Sequence, residues 1–154
     1  MSAKNTSGQI GLENDTIVCS TPENTHWRLP IAEVHVIGEF TNEAGPHLDD
    51  YFFLFVTSDA SSWHYASFYA EGRDKFLIEL GQKLGVKLEC KLCNSTSFKS
   101  RVMWPANLQE TPLFEYVPEV PSKNILSSIL NKIFPDRKVR LVKAVQLEAG
   151  LNFN

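Results

Sequence analysis

The sequence predicts an α+β domain: an antiparallel meander with one helix packed on it, completed by a C-terminal helix and strand. Three features point there. Period-two hydrophobic segments separated by turn residues recur between residues 27 and 104, the pattern of strands whose side chains face alternate sides. The period changes to that of a helix over 72–85 and again over 121–135. Strands grouped ahead of helices suit a segregated α+β arrangement better than a parallel sheet built from alternating units.

Residues 1–25 are polar and read as a flexible lead-in, with one short strand expected at Thr16–Cys19. The globular part, 26–154, reads as a single domain beginning near Trp27. In IAEVHVIGEFT, residues 31–41, Ala32, Val34, Val36 and Phe40 share one strand face and Glu33, His35 and Glu39 the other. Gly38 is placed for a bulge, and TNEAGPHLDD then breaks the strand. YFFLFVT, 51–57, is apolar on both faces, as a central strand covered on both sides would be. WHYASFYA, 63–70, is the third strand of the meander after the turn SDASS.

GRDKFLIELGQKLG, 72–85, puts Phe76, Leu77, Leu80 and Leu84 on one helical face between Gly72 as N-cap and Gly85 as a left-handed C-terminal residue. VKLECKLC, 86–93, returns to alternation, with Val86, Leu88, Cys90 and Leu92 inward and Lys87, Glu89, Lys91 and Cys93 outward. RVMW, 101–104, is a weaker strand. Four prolines in 105–121 predict an extended loop. PSKNILSSILNKIFP, 121–135, is the clearest helix: Ser122 caps it, Ile125, Leu126, Ile129, Leu130 and Ile133 form its stripe, and Pro135 ends it. RKVRLVKAVQL, 137–147, reads as a last strand. Sheet-then-helix order also occurs in pleckstrin-homology-like modules, so a PH-like architecture is one form of this fold class. The helix at 73–84 lacks the tryptophan such domains often place there, and no family is assigned.

A chain of 154 residues, 43% hydrophobic and 21% charged, is long enough for one domain with a core. A net charge of −3 argues against coating nucleic acid, which needs a basic footprint. No run approaches 18 apolar residues, so membrane insertion is not expected. The first twenty residues hold one lysine and no apolar run of seven, so no secretory leader is expected. Three cysteines, an odd number, suit a reducing compartment, and the expected location is the cytoplasm.

Residues 1–98 carry seven lysines and arginines against thirteen carboxylates, and residues 99–154 eight against five. Arg137, Lys138, Arg140 and Lys143 make the C-terminal part mildly basic. They suggest an edge strand protected by cations, or a weak contact with anionic lipid.

Cys90 and Cys93 form a C-x-x-C, but zinc needs four ligands and no second pair exists. In a strand, positions i and i+3 face opposite sides, which places Cys90 in the core and Cys93 at the surface. Glu33, His35 and Glu39 share a face that reads as solvated. There is no G-x-S-x-G nucleophile elbow and no glycine-rich phosphate loop. No cofactor is expected.

The expected function is therefore a non-enzymatic protein-binding module, an adaptor or immunity-type partner protein. Its binding surface would hold Glu43, His47, Asp49, Asp50, Trp63 and Tyr65, carboxylates for charge complementarity beside aromatic anchors. An alternative is a small metal-dependent hydrolase, in which His47, Asp49 and His64 supply a two-histidine, one-carboxylate site and Glu39 a base.

Overall fold

The computed structural model describes residues 7–20, 26–42, 50–58, 63–92, 99–116 and 139–150. Strands β1 (Gln9–Glu13), β2 (Thr16–Ser20) and β3 (His26–Pro30) form one antiparallel sheet in that order. Strands β4 (Val36–Thr41), β5 (Tyr51–Val56), β6 (His64–Ser67) and β7 (Lys99–Trp104) form a second, ordered β6-β5-β4-β7. Helix α1 runs Arg73–Leu84. Short strands β8 (Phe114–Tyr116) and β9 (Val139–Leu141) pair with each other, and helix α2 spans Lys143–Glu148. The architecture is thus mixed α+β and mostly sheet. No helix among the described residues is long and apolar enough to cross a membrane.

The meander expected from the alternating segments is β4-β5-β6. Strand β7 adds to the free edge of β4, with a register shift between Ile37 and Gly38, the position the glycine marks for a bulge. The central strand β5 is covered on both faces, as its apolar run predicts. Phe53 and Phe55 enter a core with Ile17, Leu29, Phe76 and Leu80, shared by the three-stranded sheet and α1. Leu54 and Val56 enter a second core with Phe40, Val102, Leu113 and Val145. Helix α1 lies between Gly72 and Gly85 and buries Phe76 and Leu80.

Four expectations are corrected. Residues 9–20, read as part of a lead-in with one short strand at Thr16–Cys19, carry that strand as β2 and a further one, β1, ahead of it, with Ile10, Ile17 and Cys19 buried. β1 has only Ile10 and Leu12 as apolar side chains, and a two-residue Asn14-Asp15 turn, with Asn14 at φ 56°, joins it to β2. Residues 31–33 form a 3-10 turn, so the strand predicted from residue 31 starts at Val36. Residues 87–92 keep their alternating burial but join no strand ladder. Residues 143–148 are helical, with Val145 and Ala149 buried four apart on one face. The expected helix at 121–135 lies outside the described residues.

Candidate functional site

Asp50 stands at the start of β5, and its carbonyl accepts from the Asn42 amide at 2.9 Å. Its carboxylate accepts from the Tyr69 hydroxyl at 2.6 Å. Tyr69 follows β6 because the hairpin register brings the Phe68 amide to the Tyr51 carbonyl at 2.9 Å. Tyr69 is 44% exposed, yet it is held. Its amide donates to the Ser67 hydroxyl at 3.1 Å, and its ring meets Phe68 edge-on at 5.4 Å. Phe68 in turn stacks on Tyr51 at 4.0 Å. The Arg73 guanidinium lies 3.9 Å from the centre of the Phe68 ring and donates to the Phe68 carbonyl at 2.9 Å. The corner therefore presents a braced aromatic ring, a carboxylate and a guanidinium.

Behind it lies a buried polar cluster. Glu39 and Arg101 face each other across β4 and β7, and only 0% and 5% of these residues is exposed. Glu39 accepts from the Tyr51 hydroxyl at 2.8 Å, the Lys91 amide at 2.9 Å and Arg101 Nη1 at 3.0 Å. Arg101 also donates to the Glu89 carbonyl at 3.1 Å and to Glu110 at 2.8 Å. Burial pushes the Glu39 carboxyl above its ordinary value, while Tyr51, the Lys91 amide and Arg101 pull the other way. Burial and the Glu39 charge push the Tyr51 phenol up, which keeps it a donor. The Arg101 and Lys91 hydrogen bonds hold the exposed Glu110 carboxyl below its ordinary value. The expected solvated face of Glu33, His35 and Glu39 is thus corrected at Glu39, because this sheet is covered on both sides. A lone carboxylate in VIGEFT and an arginine two residues into KSRVMW are the available signal. The pairing became readable only once β7 was placed beside β4.

His64 lies at the opposite end of the β5–β6 hairpin, across from Phe55, about 17 Å of strand from Asp50. Its ring stacks on Trp27 at 4.6 Å and 8°, and burial holds its imidazole below its ordinary value. Trp27 also packs on Phe55, and its buried indole N–H has no hydrogen-bond partner among the described residues. A histidine that resists protonation when folded contributes stability that is lost as pH falls through its unfolded value, near 6.5. His64→Phe keeps an aromatic ring for Trp27 and removes that proton linkage. Chemical denaturation between pH 7.5 and 5 should therefore show the wild type losing more stability than His64→Phe. Parallel pH profiles would refute this assignment.

Of the predicted surface, Asp50 is in the corner just described. Trp63 is 5% exposed and donates its indole N–H to the Thr57 carbonyl at 2.9 Å, so it is core. Tyr65 is half-buried, edge-on to Phe52 at 5.9 Å, and lies against the second core. Glu43, His47 and Asp49 lie outside the described residues, as does Cys93. Among the described residues, no three histidine, cysteine, aspartate or glutamate side chains gather as a metal site. Tyr69, one of the aromatics of WHYASFYA, supplies the exposed ring instead. Comparison of the chain with protein-family models, curated proteins and solved structures finds no match in any of the three.

Proposed function

We propose that this chain is a non-enzymatic, cytoplasmic protein-binding module that docks a partner protein through the Asp50–Tyr69 corner. The observation that carries the reading is Tyr69: a large aromatic side chain, 44% exposed, already fixed by its bond to Asp50 and its contact with Phe68. An anchor that is ordered before binding loses little rotamer entropy when it docks, and tyrosine is enriched among the residues that dominate interface energies. The acidic stretch that continues into Asp49 suits a partner with a basic rim, which would speed association and set orientation.

The test uses the full chain as bait in native lysate, beside Tyr69→Ala and the double variant Asp49→Lys with Asp50→Lys. A partner retained by the wild type is expected to bind Tyr69→Ala about thirtyfold more weakly, as an anchor worth about 2 kcal/mol implies. The double lysine variant should lose affinity mainly through slower association. Melting temperatures near wild type would show that both variants fold. A partner held equally well by all three chains would remove this corner from the proposal.

A further inference from the structure

Residues 86–92 alternate inward and outward as a strand does, yet their main chain is held by side chains from three strands. The Lys91 amide donates to Glu39 of β4 at 2.9 Å, and the Leu92 amide to the Tyr51 hydroxyl of β5 at 3.3 Å. Arg101 of β7 donates to the Glu89 carbonyl at 3.1 Å. At the other end the Val86 amide returns to the Gly81 carbonyl at 2.9 Å, just after Gly85 turns the chain at φ 73°. Gly81 lets the segment leave the helix closely, since a Cβ there would sit 2.6 Å from the Val86 carbonyl oxygen. Within 86–92 only Leu88 is buried; the flanking Lys87 and Glu89 are exposed.

One buried side chain and a few bonds to side chains make a segment with a low free energy of local opening. A central strand, bonded along both edges, opens only with the sheet. We infer that residues 86–92 are a strap that opens as a unit, hinged at Gly85 and latched by Glu39, Tyr51 and Arg101, while both sheets stay folded. Opening turns a carboxylate, a phenol and a guanidinium toward solvent and exposes the half-buried Cys90 thiol. The device is independent of the partner reading, because its test measures exchange and thiol labelling rather than binding.

Native-state hydrogen exchange on the full chain, followed by NMR, reads the opening directly. The Lys91 and Leu92 amides should exchange at least about tenfold faster than the amides of β5, by a route that low denaturant leaves unchanged. Tyr51→Phe removes one hydroxyl from the latch. It should speed Leu92 exchange roughly three- to tenfold, the effect of one lost hydrogen bond, and leave β5 protected. Alkylation of Cys90 by iodoacetamide, in a Cys93→Ser background, should rise in the same variant. Cys19 is the folding control: it is buried in the core, and burial pushes its thiol up to about 12. Lys91 and Leu92 exchanging at the β5 rate with the β5 denaturant dependence would overturn the strap. So would Cys19 labelling that rises in step with Cys90, since latch and sheets would then be one cooperative unit.

Discussion

Arg101→Met should lower the unfolding free energy by about 3–5 kcal/mol, read by urea denaturation at neutral pH. The side chain being lost is 6% exposed and its partner carboxylate 0%, so water cannot replace the missing cation. Glu39 would keep the Tyr51 hydroxyl and the Lys91 amide, two donors but no positive charge. Typical domains are stable by only about 5–15 kcal/mol, so the variant should be close to its folding limit. The deficit should also depend on pH, and its sign follows from the groups present. Burial already raises the Glu39 carboxyl, and Arg101 is one of the groups that lower it. Without the guanidinium the carboxyl lies higher still. A group that holds its proton more tightly folded than unfolded contributes stability below its unfolded value and loses it as pH rises through the folded one. Arg101→Met should therefore be least impaired in acid and worsen as pH rises. Glu39→Met combined with Arg101→Met removes the unpaired charge, so its deficit should no longer change with pH, although the Lys91 amide, the Tyr51 hydroxyl and the Glu89 carbonyl lose the partners they had. A deficit below 1 kcal/mol, or one that grew in acid, would show that the pair does not carry this load.

How far the sequence reached is clearest at β5 and α1. An apolar run of aromatics has few places to go except a doubly covered strand, and a helical stripe between two glycines states its own limits; both read correctly. The failures share a cause. β1 has only Ile10 and Leu12 as apolar side chains, a signal no stronger than that of a loop, and it is stabilised by a core built from distant segments. Residues 86–92 show strand alternation because they cross a sheet surface, which demands one apolar face whether or not a ladder forms. Glu39 reads as solvated in the sequence for the complementary reason: period two says which residues share a face and never whether something covers it. The candidate corner was half legible. Asp50 stood out as a carboxylate ahead of an aromatic strand, but its pairing with Tyr69 depends on the hairpin register, which places Phe68 beside Tyr51. Trp63 is a large aromatic beside a turn, which suggests an anchor, and the same size explains why it is buried.

The second large effect is expected where β4 has no side chain. Gly38 faces Leu113, and a Cβ built there would lie 2.3 Å from one Leu113 methyl carbon and 2.6 Å from the other and from Cγ. Both residues belong to the packed interior, Leu113 with 0% exposure, so neither can yield into solvent. Gly38→Ala should cost about 1–3 kcal/mol through overpacking. Leu113→Ala alone should cost about 2–5 kcal/mol, because it leaves a cavity among Phe40, Val102 and Phe114. Combined, the two changes should not add. The alanine at 38 would enter the space Leu113 vacated, so the double variant should be more stable than the sum of the single losses predicts by about 1 kcal/mol or more. Four urea denaturation curves complete the cycle. Strict additivity would mean that β4 moves away from Leu113 rather than pressing on it, and the close approach of the 113–114 segment to the sheet would then not be what requires glycine at position 38.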